Sequence, residues 1–371
     1  MQIDTILLKV SSRCNIQCDY CYIYQMGDTG WTRMPNIMSE DTIFAIVKAL
    51  KSLAFSQKRG FAVVLHGGEP LILGEEKLTI LLKALRSNLP SECKISIQSN
   101  GILLTQRILD LCSKTRTTVA ISLDGPKHIH DSHRVNVNGK ETFYSTLEGI
   151  KLLQNHPDNN LFAGILAVID PQTDPEEIYS FFKKLKVPSM DFLYRDGNHS
   201  RLPFRKTAFD SIEYGIWLTK LWDLYIADSD PVPINILDDT TRLILGGWSS
   251  KEGRGTKIYG VVIIDTDGSI AMNDTLKSSY DGADRFKSNW SVHQDSLSEI
   301  VCTQEFSEYS ILQEPTCETC RSCSYLKICG GGMPLYRWSN EGGYNNPSVY
   351  CHDHKFVIDH IRDKLHTALN K

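Results

Sequence analysis

No stretch of this chain is apolar for long enough to span a bilayer, and its start, MQIDTILLKV, carries Lys9 inside a run that is only strand-length. Neither a membrane span nor a secretion signal is therefore expected, and the setting read from the sequence is the cytoplasm. An excess of one charge is lacking too. The 40 Lys and Arg stand against 44 Asp and Glu, a formal net charge of -4, which gives no electrostatic footprint for nucleic acid. The 11 cysteines are odd in number, and with no secretion signal they do not read as a disulfide framework. They are available as thiols for metal.

With 371 residues, 41% hydrophobic and 23% charged, the chain can bury one large core and a second, smaller one. Its first 200 or so residues alternate apolar strands with amphipathic helices. After ILLKV comes SEDTIFAIVKAL, where Ser39 can cap, Glu40 and Asp41 suit the positive helix start, and Ile43, Ile46, Val47 and Leu50 form one stripe. FAVVLHGG, KISIQSNG, TVAISLDG, FAGILAV and MDFLYRDG read as buried strands, with helical stretches such as LTILLKALRSNL, TQRILDLCSK, TFYSTLEGIKLL and DPEEIYSFFKKL between them. The expected fold class is α/β with a parallel sheet. His66, Gly67, Gly68, Glu69 and Pro70 close the second strand, Gln98, Asn100 and Gly101 the third, and Ser122, Asp124 and Gly125 the fourth. In parallel α/β folds ligands bind beyond the carboxyl ends of the strands, so these residues mark the expected ligand face.

The cysteine loop after the first strand, RCNIQCDYCYIY, opens on that face. Cys14, Cys18 and Cys21 offer three thiolates, and no His or Cys follows until His66. Soft thiolates suit an iron-sulfur cluster, which three of them leave with one open iron; a three-thiolate zinc site is the competing reading. A second set lies in PTCETCRSCSYLKICGGG, with Cys351 beyond it. Cys320, Cys323, Cys329 and Cys351 supply four thiolates, enough to close a cluster or a zinc ribbon, and Cys317 overlaps the spacing and is an alternative ligand. Gly330, Gly331 and Gly332 would let backbone amides approach the sulfurs. Cys302 is left over, while Cys93 and Cys112 read as small core hydrophobes. His352 and His354, beside Cys351, are weighed as metal ligands but read rather as a solvated helix start. The stretch from Phe204 to Trp248, with Trp217, Leu221 and Leu224 at helical spacing, reads as a bridging helix packed on the barrel.

CNIQCDYC together with GGEP resembles the radical S-adenosylmethionine (SAM) superfamily, whose partial six-strand barrel agrees with the strand pattern. The resemblance implies that Cys14, Cys18 and Cys21 hold a [4Fe-4S] cluster whose open iron is chelated by SAM. It further implies that Gly67, Gly68 and Glu69 receive the SAM amino group, that the backbone of Tyr20 faces adenine, that Ser122 contacts the ribose and that Arg134 pairs with the SAM carboxylate. Gln98 and Asn100 join this cofactor-binding set from their strand end.

The tail resembles the SPASM extension of peptide-modifying members. A full extension holds two auxiliary clusters, but Asn273 and Met333 stand here where ligands of the first would be, so one auxiliary [4Fe-4S] cluster is expected. YIYQMGDTGWTRMPNIMS, DFLYRDGNHS, CGGGMPLYRW and NNPSVYC together resemble the cyclophane-forming maturases of ribosomal peptides, with Tyr336 before Arg337 where many relatives have His. That likeness implies a bond from the β-carbon of one residue to the aromatic ring of a residue two positions earlier. Asp274 matches the place of a general base for rearomatisation; the alternative is that it only ends a strand-turn. Other peptide chemistry (thioether, epimerisation, formylglycine) and a non-catalytic iron-sulfur or zinc scaffold stay open. The expected partners are a ribosomal precursor peptide and a flavodoxin or ferredoxin-type electron donor. The barrel and bridge are expected to bind the precursor leader themselves unless a separate leader-recognition protein does. The expected domains are a radical SAM barrel over 1-200, a helical bridge over 201-256 and a SPASM-like auxiliary-cluster domain over 257-371.

Overall fold

A computed structural model describes residues 2-249 and 251-369. Residues 1, 370 and 371, at the outer edges of the expected first and last domains, and 250, inside the expected bridge, lie outside the described residues. In chain order the strands are β1 (Thr5–Ser11), β2 (Ile16–Cys18), β3 (Ala62–Gly67), β4 (Ile95–Ser99), β5 (Thr117–Ser122), β6 (Arg134–Asn136), β7 (Phe162–Val168), β8 (Met190–Leu193), β9 (Val261–Ile264) and β10 (Ile270–Ala271). The chain divides into two compact units. One comprises Met1–Leu123, His130–Gly164 and Gly260–Tyr309; the other comprises Asp124–Ile129, Ile165–Tyr259 and Ser310–Lys371.

In the first unit β1 pairs in parallel with β3 on one side and with β9 on the other, β3 continues in parallel to β4 and β4 to β5. A strand with a neighbour on each side and cover above and below reads as a nearly unbroken apolar run, as TILLKVS does. The exception is Lys9, which is only 3% exposed. Helix α1 (Glu40–Gln57) starts as its sequence prescribes: Ser39 Oγ accepts a hydrogen bond from Thr42 N, and Glu40 and Asp41 sit in the first turn. Its stripe of Ile43, Ile46, Val47 and Leu50 is buried, a gain of roughly 1.5–3 kcal/mol per side chain. Thr105 caps α3 (Gln106–Thr115) in the same way through Ile108 N; α2 (Glu75–Asn88) lies between the two in sequence. A feature without a sequence signal is the antiparallel ribbon of β2 and β6, which sets Cys18 opposite Arg134.

In the second unit β7 pairs in parallel with β8 over Ile165–Val168 and Met190–Leu193. The bridging stretch is helical over Glu213–Ala227, with Trp217 and Leu221 buried, and again over Asn235–Ile244. The last helix, Cys351–Leu369, starts on a cysteine of the second set.

Candidate functional site

The cysteine loop of the first unit is fastened directly to the end of β3. Gly68 N donates to Ser11 O at 2.9 Å and Glu69 N to Arg13 O at 2.9 Å. These contacts demand glycine. A Cβ on Gly67, whose φ is +139°, would meet Ser11 O at 2.1 Å, and one on Gly68 would meet the Tyr24 hydroxyl at 2.1 Å and Arg13 O at 2.3 Å. Arg13 stiffens the loop from outside, with Nη1 donating to Trp31 O at 2.9 Å and its guanidinium 5.1 Å from the Trp31 ring. The YIYQMGDTGWTR segment thus braces the cysteines.

Cys14, Cys18 and Cys21 are brought together. Burial pushes the Cys14 thiol up to about 12, and the neighbouring Glu69, Cys18 and Cys21 add to that against a backbone hydrogen bond from Ile16. A thiol placed like Cys14 keeps its proton until a cation displaces it, which is the behaviour of a metal-cluster ligand. The donor set therefore fits a cluster that takes three thiolates.

Around it, Glu69 ties two strand ends together. Its carboxylate accepts from Leu71 N at 3.1 Å, from Ser99 Oγ at 2.8 Å and from Asn100 N at 2.8 Å. The side chain is fully engaged in that frame, so what Gly67, Gly68 and Glu69 offer a ligand is backbone. Asn100 Nδ2 donates to Asn15 Oδ1 in the cysteine loop at 2.7 Å, and Gln98 Nε2 to Ser122 Oγ at 2.8 Å. Arg134 Nη1 donates to the Tyr20 hydroxyl at 2.7 Å. Every cofactor-binding residue named from the sequence thus lies in one unit and in one of these small networks.

Asp274 starts a short 3-10 turn, Asp274–Ser278, and is an almost wholly buried ion-pair member rather than an exposed turn residue. Lys9 Nζ lies 2.8 Å from its Oδ1, Lys277 Nζ 3.9 Å away, and the Tyr22 hydroxyl donates to Oδ2 at 3.2 Å. Burial alone would raise its pKa, but the two lysines outweigh that and hold it below the ordinary value. Lys277 also reaches Asp284 at 3.1 Å and Asp28 at 3.6 Å. His66 belongs to the same neighbourhood. Burial pushes it down to about 4, with Asp274 opposing, and its enclosed Nδ1 has no hydrogen-bond partner. His66 was expected on the ligand face, whereas Lys9, Tyr22 and Lys277 were not expected in the site; of these three only Lys9 left a signal, a charge inside a buried strand.

In the second unit Cys317, Cys320, Cys323, Cys329 and Cys351 form one electrostatic cluster. Burial raises the Cys320 thiol, and Cys317, Cys329 and Cys351 raise it further, Cys317 also by a hydrogen bond. Cys329 is pushed up to about 11 by burial and then by Cys351 and Cys323, while the Gly331 amide donates to its sulfur and lowers it. Gly330, Gly331 and Gly332 have φ of 67°, 81° and 71°, a consecutive left-handed run open only to glycine. Met333 packs against Gly253, where a Cβ would lie 2.7 Å from Met333 Cγ. Asn273, in the first unit, spends its side chain accepting from Thr275 N at 3.0 Å. Cys302 is exposed, and Cys93 and Cys112 are buried as core residues.

The reading of His354 as part of a solvated helix start is corrected. Its Nδ1 lies 3.3 Å from Cys329 Sγ, and burial, Arg254 and Lys206 push its pKa down to about 3, so the ring is neutral. Together with Cys329, Tyr194, Tyr336, Arg254 and Met333 it lines a cavity of about 200 Å³.

These two thiol sets, one of three joined to a Gly-Gly-Glu strand end and one of five, define a thiolate-rich protein with a ligand face on a parallel sheet. A family model for the radical SAM superfamily matches residues 8–185. The cysteine-type anaerobic sulfatase-maturating enzyme of Clostridium perfringens is 25% identical over 99% of this chain and 98% of its own. The serine-type enzyme of Klebsiella aerogenes is 30% identical over 89% of this chain and 80% of its own. Among solved structures, native anSMEcpe with bound AdoMet and Cp18Cys peptide has a TM-score of 0.81 at 23% identity, covering 99% of this chain and 98% of that one. The chain belongs to the radical SAM superfamily, so it is an enzyme that uses SAM and an iron-sulfur cluster. The expected α/β radical SAM fold with a SPASM-like C-terminal part is the one it has. Among the described residues no helix is long and apolar enough to cross a membrane.

Proposed function

We propose that this enzyme modifies a peptide, and that the modification is a three-residue cyclophane joining a β-carbon to an aromatic ring. The peptide substrate is supported by similarity to maturases over nearly the whole chain, including one solved with a peptide. The observation that carries the crosslink is the pair of positions where ligands of a first auxiliary cluster are absent. Asn273 is committed to capping a turn and Met333 to packing on Gly253, which departs from the two-cluster pattern and leaves a single auxiliary set.

In this reading Cys14, Cys18 and Cys21 hold the SAM-binding cluster, and Cys320, Cys323, Cys329 and Cys351 hold one auxiliary cluster. When bound, cluster and SAM supply a deoxyadenosyl radical able to take a hydrogen atom from an unactivated carbon. The chain's own residues orient and enclose. The backbone of Gly67, Gly68 and Glu69 receives the SAM amino group, Gln98 and Ser122 the ribose, and Tyr20 and Arg134 the adenine and carboxylate ends, with Asn100 holding the cysteine loop against them. Closing the ring also requires that a proton and an electron leave the arene, and a bound auxiliary cluster would supply the place for the electron. Asp274 is the proposed acceptor. Paired with Lys9 it is a weak base, and an oxidised arene adduct is acidic enough to need no stronger one. The substrate is a ribosomally made precursor, and a flavodoxin or ferredoxin-type protein supplies the reducing electron.

Formylglycine formation is the second reading, favoured by the two sulfatase-maturating relatives. Anaerobically reconstituted enzyme, SAM and reductant would be incubated with candidate precursor and sulfatase-type peptides, and deoxyadenosine and peptide products followed by mass spectrometry. A crosslink removes two hydrogens and resists carbonyl reagents. Formylglycine reacts with a hydrazide, and from cysteine it also loses sulfur. A hydrazide-reactive product alone would replace the first reading by the second.

A further inference from the structure

We infer that His354 tunes the auxiliary cluster: its Nδ1–H donates a hydrogen bond to the Cys329 sulfur and raises the potential at which the cluster accepts an electron. The inference rests on the proposal that Cys329 is a ligand of that cluster. It holds for either peptide reaction.

The last helix begins at Cys351, and residues one turn apart on a helix share a face, so Cys351 and His354 are presented side by side. His354 N donates to Tyr350 O at 2.9 Å, which fixes the backbone beneath the ring. The ring itself is walled by Tyr194, with centroids 5.3 Å apart, and by Tyr350 at 6.3 Å. Tyr350 is held in turn, its hydroxyl donating to Arg195 O at 2.5 Å. Between these rings Nδ1 faces Cys329 Sγ at 3.3 Å.

An iron-bound thiolate has lone pairs and no proton, so it can only accept. That places the ring proton on Nδ1. A hydrogen bond to a cluster sulfur withdraws electron density from it and favours the reduced, more negative state. The Gly331 amide already donates to the same sulfur, which makes His354 the second donor on Cys329. A cluster that must take an electron from a substrate gains from such donors, because each one stabilises the charge the cluster acquires.

The experiment is a potentiometric titration of the full chain carrying Cys14→Ala, Cys18→Ala and Cys21→Ala, so that only the second set is loaded. His354→Phe is expected to keep the iron and sulfide content of this background and to shift the midpoint to lower potential, with His354→Gln in between. Iron present with an unchanged midpoint overturns the inference alone. Loss of iron on replacing His354 makes it a ligand and overturns tuning as well. Absence of iron from the second set with His354 intact overturns the auxiliary-cluster reading itself. Should His354→Phe fail to fold, the unsubstituted chain with nitrogen-15 labelled histidine answers by pulsed electron-nuclear spectroscopy of the reduced cluster. A weak nitrogen coupling is expected; no coupling, or the strong coupling of a bound imidazole, overturns the inference.

Discussion

Lys9 and Asp274 meet at 2.8 Å with side chains only 4% and 3% exposed, so a strand residue near the start of the chain neutralises a carboxylate far along it. Breaking a buried pair by removing one partner costs about 3–5 kcal/mol. Lys9→Met should lose about that much in denaturant unfolding near neutral pH. The sign with pH follows from the carboxylate. In the native chain its pKa is depressed, so its contribution is present above the ordinary carboxylate value of 3.8 and is lost only as pH falls through the lower folded value. In Lys9→Met burial gains on the remaining Lys277, the pKa rises, and the variant recovers stability relative to the native chain as the medium is acidified. A deficit that does not shrink on acidification would show that the pair contributes through packing instead.

Gly68→Ala tests the fastening of the cysteine loop. The added methyl would have to occupy space 2.1 Å from the Tyr24 hydroxyl and 2.3 Å from Arg13 O, and the carbonyl cannot swing aside without moving Cys14. The variant should lose the iron bound by the first set, and with it SAM cleavage, while the second set keeps its iron. Normal deoxyadenosine formation by Gly68→Ala would mean that the loop need not sit where it does.

The parallel strands were legible because strands covered on both faces are written as continuous apolar runs, and α1 because its cap, first-turn acids and stripe all agree. The cysteine sets were legible because their spacing is local. What could not be read were partnerships set by tertiary structure. Lys9 announced an oddity but not Asp274; the β2–β6 ribbon is too short to carry periodicity; and His354 looked like a solvated residue because its partner, Cys329, lies on another segment. Each is a polar group whose burial is allowed only by a neighbour remote in sequence.

Cysteine substitutions should sort the thiols of the chain. Cys302 is exposed, and its sulfur lies 3.5 Å from the carbonyl of Ser298. Cys302→Ala should retain all iron and remove the thiol that native protein alkylates first. In the second set, Cys320→Ala should lower iron content, while Cys317→Ala should keep it, with Cys317 serving as a hydrogen-bond partner of Cys320. Retained iron in Cys320→Ala together with loss in Cys317→Ala would reverse the two roles.

Lys206 and Asp353 form another deeply buried pair, 2.7 Å apart with both side chains wholly enclosed. Asp353 lies between Cys351 and His354 and also accepts from Gly215 N at 2.8 Å, so the ion pair ties the start of the last helix to the segment before the bridging helix, and the Gly215 bond ties it to that helix. Burial raises the Asp353 pKa against the pull of Lys206. Removing either charge leaves the other unpaired in the interior, so Lys206→Met and Asp353→Leu should each cost about 3–5 kcal/mol, with the shift read from the denaturant midpoint. The double variant has no stranded charge. It should cost clearly less than the sum of the two, although the Gly215 amide loses its acceptor. Additive losses would mean that each side chain works through separate contacts, and the pair would then not be what holds this helix start in place.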